Sequence, residues 1–231
     1  MGSKRSKTYK EAKSKIENRT YSVNEAVKLL KGFNFAKFDE SIDISLRLGV
    51  DPKYPDQMVR GTVVLPNGTG KVTRVLAITA GEKQKEAEEA GSDFVGGEEI
   101  IDKIKAENWF EYDIIVASPD MMRYLGKIGK LLGPKGLMPS PKAGTVTFNL
   151  KDTISEIKKG RVEFKVDKTG IINSSIGKKS FSEEQIEENV TDFINAVLKA
   201  KPISLKGKYV RSLSISSTMS PSIKMNISDF E

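Results

Sequence analysis

Ile42-Asp-Ile-Ser-Leu-Arg-Leu-Gly-Val50 alternates apolar and polar residues without a break. A period of two puts Ile42, Ile44, Leu46, Leu48 and Val50 on one face and Asp43, Ser45 and Arg47 on the other. That predicts a strand of an antiparallel sheet with one buried and one wet face. On its C-terminal side, Asp51-Pro-Lys-Tyr-Pro-Asp56 reads as a loop by its prolines. A second strand over residues 59–65 then stops at Pro66-Asn-Gly-Thr-Gly70. On its N-terminal side, Ser22-Val-Asn-Glu25 has capping-box spacing and opens a short helix with Val23, Ala26, Val27, Leu30 and Phe33 on one face. Residues 5–18 are lysine-rich with few apolar positions (Tyr9, Ala12, Ile16), so a helix there is stable only when docked.

Past residue 70 the pattern changes. Strands are predicted over 72–79, 93–95 and 113–117, and helices over 82–90, 98–106 and 120–128. Asp113-Ile-Ile-Val-Ala117 is almost continuously apolar. Strands that alternate with helices and carry apolar residues on both faces predict a parallel sheet with helices on its faces. A helix over 152–159 ends at Gly160 in the C′ position. From there the half-buried pattern returns with Val162, Phe164 and Val166. Asp167-Lys-Thr-Gly170 reads as a hairpin-type turn, and residues 171–176 as its return strand. Ser182-Glu-Glu-Gln185 caps a long helix with Ile186, Val190, Phe193, Ile194 and Val197 in one stripe. Strands near 208–216 and 222–227 follow.

The expected fold is therefore α/β (α+β). A discontinuous outer domain, residues 1–67 and 160–231, carries an antiparallel sheet and helices. A Rossmann-like parallel α/β domain, residues 68–159, is inserted into it. The chain crosses at Asn67-Gly68 and at Lys159-Gly160. Glycine at both crossings suits a hinge, and it suits the simple termination of elements equally well.

Composition narrows the chemistry. Histidine and cysteine are both absent, which removes imidazole bases, thiolate nucleophiles, disulfides and thiolate-bound zinc. No apolar run approaches the ~20 residues of a membrane-spanning helix, and residues 1–20 lack the apolar core of a secretory signal. These features point to a cytoplasmic chain with no membrane partner. The net charge of +7 is unevenly spread. Lys4, Arg5, Lys7, Lys10, Lys13, Lys15 and Arg19 crowd the first twenty residues. No acid lies between Asp120 and Asp152, or between Asp192 and Asp229. Three basic blocks fit a polyanion, since each neutralised phosphate releases condensed counterions.

Two apparent phosphate motifs fail on inspection. Gly68-Thr-Gly70-Lys71 has Leu65 where a P-loop needs its first glycine and Val72 where it needs Ser or Thr. Thr73 stands at the third glycine of a dinucleotide fingerprint. The densest local signal is Gly133-Pro-Lys-Gly-Leu-Met-Pro-Ser-Pro-Lys-Ala-Gly144, which can be neither helix nor central strand. It presents Lys135 and Lys142, either as a stiff platform for a sugar–phosphate backbone or as a connection within the fold. Ala36-Lys-Phe-Asp-Glu40 precedes the first strand, and Ser216-Ser-Thr-Met-Ser-Pro-Ser222 separates the last two. Phe38 and Met219 are core or contact residues, while the hydroxyls suit a ribose 2′-OH. Aromatics make up only 7% of the chain, so a single-strand stacking platform is not indicated.

Several runs together resemble the ribosomal protein L1 family: Ala36-Lys-Phe-Asp-Glu40, Asp56-Gln-Met-Val-Arg-Gly61, Leu65-Pro-Asn-Gly-Thr-Gly70, Ala117-Ser-Pro-Asp120, Leu132-Gly-Pro-Lys-Gly-Leu-Met-Pro139, Pro141-Lys-Ala-Gly-Thr145, Asp167-Lys-Thr-Gly170 and Ser217-Thr-Met219. They occur in family order over nearly the whole chain. The resemblance implies a structural, non-enzymatic component of the large ribosomal subunit that binds the stalk region of 23S rRNA. Binding is implied chiefly through Lys37, Phe38, Glu40, Ser216, Thr218, Met219 and Ser220, with Lys135 and Lys142 secondary. It implies no cofactor, a hinge at Asn67, Gly68, Lys159 and Gly160, and a mobile stalk that helps release exit-site tRNA. It further implies contact with other ribosomal components and repression of the chain's own operon mRNA. One position departs from the pattern: Ser220 stands where the family has glycine after Thr-Met, and glycine there would allow positive φ or close RNA approach.

Two other readings compete on residues alone. A small-ligand or nucleotide-binding α/β enzyme would use the carboxyl edge of the inner sheet, with Asp113, Asp120 and Lys127 as its groups. A general basic scaffold would bind any polyanion without preference.

Overall fold

Strand β1 (Ser41–Leu48) buries alternate residues, with Ile42, Ile44, Leu46 and Leu48 inside. A computed structural model describes residues 6–34, 36–81, 83–227 and 230. Lys4 and Arg5 of the basic arm and Glu82, the expected start of the third helix, lie outside the described residues. Among those described, no helix is long and apolar enough to cross a membrane.

The chain divides into an outer unit, Met1–Gly70 with Val162–Glu231, and an inserted unit, Lys71–Arg161. The sequence set these crossings at 67/68 and 159/160. In the outer unit, α1 (Lys7–Ser14) and α2 (Val23–Lys31) precede β1, and β2 (Arg60–Val64) follows it. At the start of α2 the Ser22 hydroxyl accepts the Glu25 amide at 3.4 Å. The return half of the expected capping box is replaced, because the Glu25 carboxylate accepts from Arg19 at 3.0 Å.

The inserted unit has three short parallel strands, β3 (Val75–Ile78), β4 (Phe94–Gly96) and β5 (Ile114–Ala117), in the order β4-β3-β5. Helices α3 (Lys83–Glu89) and α4 (Glu98–Glu107) connect them. The first strand is shorter than the predicted 72–79, and Val72 is 88% exposed. The predicted helix over 120–128 is not continuous. It consists of 3-10 turns at Pro119–Met121 and Gly126–Ile128 around the single turns α5 (Met122–Leu125) and α6 (Gly129–Leu132). Glycines at 126, 129 and 133 weaken helix propagation there, while Met121, Leu125, Ile128 and Leu132 still reach the core. Helix α7 (Leu150–Lys158) closes the unit, and Gly160, at φ 103°, follows its C-cap.

The chain re-enters the outer unit within β6 (Arg161–Lys165) and continues with β7 (Ile171–Lys178), α8 (Glu183–Lys199), β8 (Val210–Ser217) and β9 (Ile223–Met225). Asp167 and Gly170 form the expected turn, with Gly170 at φ 79° and the Asp167 carboxylate accepting the Thr169 and Ile171 amides. The strands on either side do not form a hairpin. β6 pairs with β2, whereas β7 pairs with β1 in a four-stranded antiparallel sheet ordered β7-β1-β8-β9. The stripe of α8, with Ile186, Val190, Phe193, Ile194 and Val197, is wholly buried in this unit's core. Phe193 meets Phe164 edge-on at 5.7 Å between centroids. Gly61 makes room for that ring, since a Cβ there would lie 2.8 Å from Phe164 Cζ.

Candidate nucleic-acid interface

Because β1 and β8 run antiparallel with Ile42 opposite Ser217, the residues before β1 and those after β8 emerge at the same end of the sheet. Two segments 177 positions apart thus become neighbours. The Ser41 amide donates to Thr218 Oγ1 at 3.1 Å, and the Thr218 amide donates to the Ser41 carbonyl at 3.1 Å. β7 ends beside them, so residues 178–180 form a third side. Lys178 Nζ donates to Ser41 Oγ at 2.9 Å.

Glu40 ties the three segments together and is 1% exposed. Its Oε2 accepts from Lys179 Nζ at 2.9 Å, and its Oε1 accepts from Ser217 Oγ at 3.1 Å and the Met219 amide at 3.0 Å. Lys179 Nζ also donates to the Phe33 carbonyl. Burial alone pushes the Glu40 carboxyl up. The bonds from Lys179, Met219 and Ser217 outweigh burial and hold it below the usual carboxylate range. Asp39 accepts the Ser180 amide at 3.1 Å and its hydroxyl at 2.8 Å. Glu40 is therefore a buried internal brace in this structure.

Around this brace the outward side chains are Lys37, Phe38, Thr218 and Met219. Phe38 is 58% exposed and Met219 is 53% exposed, so neither is a core residue. Ser216 is half-buried within β8, opposite Asp43. Ser220 needs no glycine-like backbone, since among the described residues Asn108 alone has a positive φ without being glycine. Its hydroxyl instead accepts the Ser217 amide at 2.9 Å and donates to the Pro221 carbonyl at 3.1 Å. The side chain thereby closes the turn that presents Met219. Sequence reasoning passed over Lys178, Lys179 and Ser180. Their one local signal is a Lys-Lys pair at the end of a strand.

In the inserted unit, the run 133–144 is an ordered loop. Leu137 N bonds the Leu132 carbonyl at 3.1 Å, and Ser140 N bonds Thr145 Oγ1 at 2.9 Å. Arg161 Nη2 donates to the Ala143 carbonyl at 2.9 Å, and Arg161 pairs with Glu156 at 3.1 Å. Gly144, at φ 64°, leaves the space that this guanidinium fills. Lys142 is exposed. Lys135 is exposed as well, with its Nζ 3.5 Å from the Phe110 ring centroid. The three residues suspected for an enzyme are not gathered at one point. Asp113, before β5, accepts from Lys71 at 2.7 Å and from the Arg74 amide at 3.1 Å. Asp120 and Lys127 lie past the other end of that strand.

At the first crossing, Asn67 and Gly68 are bonded to the outer unit. The Asn67 amide donates to Asn189 Oδ1 at 3.1 Å, and Asn189 Nδ2 donates to the Gly68 carbonyl at 2.9 Å. Asn189 Nδ2 also reaches the Ile176 carbonyl at 2.8 Å. At the second crossing Lys159 is the C-cap of α7 and the Gly160 amide bonds Ile157.

Residues 30–221 match the profile of the ribosomal protein L1p/L10e family. The large ribosomal subunit protein uL1 of Solibacter usitatus (strain Ellin6076) is 54% identical over 230 residues, covering 100% of this chain and 97% of that protein. The profile covers most of the chain and the relative covers all of it: the chain belongs to the ribosomal protein L1p/L10e family.

Proposed function

We propose that this chain is a structural protein of the large ribosomal subunit that binds the stalk region of 23S rRNA directly through the outer unit. The observation that carries this reading is the buried Glu40 brace. It joins segments distant in sequence and leaves Lys37, Phe38, Thr218 and Met219 exposed around it. Lysine supplies phosphate neutralisation, the hydroxyl can bond a 2′-OH, and Phe38 and Met219 offer apolar surface to ribose or base. Lys135 and Lys142 of the inserted unit are auxiliary phosphate contacts.

The finer roles follow from that assignment and from family membership. The chain works in the cytoplasm, on the ribosome, with other ribosomal components as neighbours. It moves with the stalk to help release exit-site tRNA, and as a free protein it represses its own operon mRNA by binding a mimic of the rRNA site. The hinge serves that motion. Since Asn67 and Gly68 are bonded to α8, bending at the first crossing falls after Gly70, and at the second around Gly160.

The test is a salt series comparing a 23S stalk fragment with a generic duplex of equal length. The stalk fragment binds at least ~100-fold tighter, with a salt-dependent component from phosphate contacts. Equal affinity for both RNAs rejects specific recognition in favour of a general basic scaffold. Met219→Asp lowers stalk affinity by about 2 kcal/mol without moving the unfolding midpoint. Unchanged affinity removes the 216–220 turn from the interface.

A further inference from the structure

The described part of the basic arm, from Ser6 onward, packs on the outer unit, with Ala12 buried in its core. Tyr9 and Lys13 of α1 and the turn after it share a groove with Lys224 of β9, the edge strand of the outer sheet, and Tyr21 extends that edge. The Tyr21 amide donates to the Lys224 carbonyl at 3.0 Å, and the Asn226 amide donates back to Tyr21 at 2.8 Å. Between arm and strand runs a groove of about 490 Å3, lined by Tyr9, Lys13, Ile16, Arg19, Pro221 and Lys224 among others. That volume is within the range of small-ligand clefts, roughly 300–1,000 Å3.

The lining is amphipathic. Ile16 packs against the core and Pro221 is buried, giving an apolar floor. Lys13 and Lys224 are exposed and stand in no ion pair among the described residues. Arg19 is already shared between Glu17 at 2.9 Å and Glu25 at 3.0 Å, and it lies 4.2 Å from the Tyr21 ring centroid. It also neutralises Glu17, the acid of the groove, so the rim keeps a positive balance from the two lysines. Apolar floor with cationic rim is the complement of a base or ribose joined to a phosphate.

Position supplies the second argument. Pro221 and Ser222 directly follow the 217–220 turn that presents Met219, so one strand of RNA can pass from that surface into the groove. Of the groove's residues, Pro221 alone lies within the stretch matched by the family profile.

We propose that this groove is a second RNA contact, taking one nucleotide of the same rRNA strand, with its phosphate on Lys13 and Lys224 and its sugar or base against Ile16 and Pro221. The proposal rests on the RNA-binding reading of the neighbouring turn. It is tested in the full chain with two variants, Lys13→Gln/Lys224→Gln and Ser222→Trp. The first removes charge, and the second fills the groove from an exposed position without altering charge. Both are expected to keep the wild-type unfolding midpoint and to bind the stalk fragment about tenfold more weakly at ~0.15 M salt. The double variant also loses about two from the log–log salt slope, one for each lysine.

Wild-type affinity in both variants overturns the proposal and leaves the groove to an acidic segment of another protein. Weakening confined to the double variant also overturns it, because the lysines then act by general attraction. In either case the wild-type preference for stalk RNA is intact. Loss of that preference in the wild-type chain itself removes the RNA reading, and this contact with it.

Discussion

Glu40 supports the proposed interface from beneath its surface. Its carboxylate is buried, accepts three hydrogen bonds and pairs with Lys179, whose side chain is 15% exposed. Breaking such a pair leaves an uncompensated charge, which costs more than the pair contributes when whole. Glu40→Gln should therefore destabilise the outer unit by about 2–3 kcal/mol and weaken stalk RNA binding, although position 40 is buried. Urea unfolding and RNA titration of the same preparation check both. Stability unchanged from wild type would refute the brace. The pH dependence has a definite sign. A carboxyl held below its unfolded-chain range adds stability above that range, and the addition disappears as pH falls through the lower, folded value. Acidification through and below the ordinary carboxylate range should thus erode the wild-type midpoint more steeply than that of Glu40→Gln. The motif at 36–40 was visible in the sequence, but the role of its last residue was not. Nothing local marks Lys179 as its partner, because the pairing arises from strand register.

At the scale of elements, what could be read depended on how local the cause was. The alternation of β1 and the stripe of α8 are properties of a few neighbouring residues, and both appear in the fold as the pattern implies. The Asp167–Gly170 turn was also legible, yet β6 and β7 part company after it and pair with β2 and β1 instead. Turn chemistry fixes the reversal of the chain, while partner choice depends on strands far away. Gly126 interrupts the helix expected over 120–128, which breaks into single turns. Asn189 is another role hidden from local reading. It is fully buried in the middle of an apolar stripe and satisfies the Asn67 amide and the Gly68 and Ile176 carbonyls. Asn189→Ala should cost about 2–3 kcal/mol by orphaning those groups. Asn189→Asp should cost more despite its matching shape, because a carboxylate would face two carbonyls with no proton to donate. Thermal or urea unfolding orders the three chains, and Asp milder than Ala would contradict this account. Asn189→Ala should also raise hydrogen exchange at the Asn67 amide before that of the α8 backbone.

For the whole molecule, each unit has its own core. In the outer unit the core lies beneath the four-stranded sheet, and in the inserted unit it lies on the two faces of the parallel sheet. Every group of the Glu40 brace belongs to the outer unit. Replacing residues 71–161 with a short Gly/Ser linker should therefore leave a chain that unfolds cooperatively and binds the stalk fragment within about tenfold of full-length affinity, the difference reflecting lost phosphate contacts. A loss beyond ~1,000-fold would place the main interface in the inserted unit. The two-part organisation was legible because strand grammar switches twice along the chain, at glycine-marked positions. The groove under α1 was not, since its walls come from opposite ends of the sequence.

The bond between Ser41 and Thr218 also has a consequence in time. β8 lies between β1 and β9, so β1 lacks a neighbour on that side until nearly all of the chain has been synthesised. At roughly 5–20 residues per second, many seconds separate the first half of the recognition surface from the second. Until then Glu40 has neither Ser217 nor the Met219 amide to hold it. On the proposed function, specific recognition of stalk RNA arrives with the last strands rather than accumulating along the way.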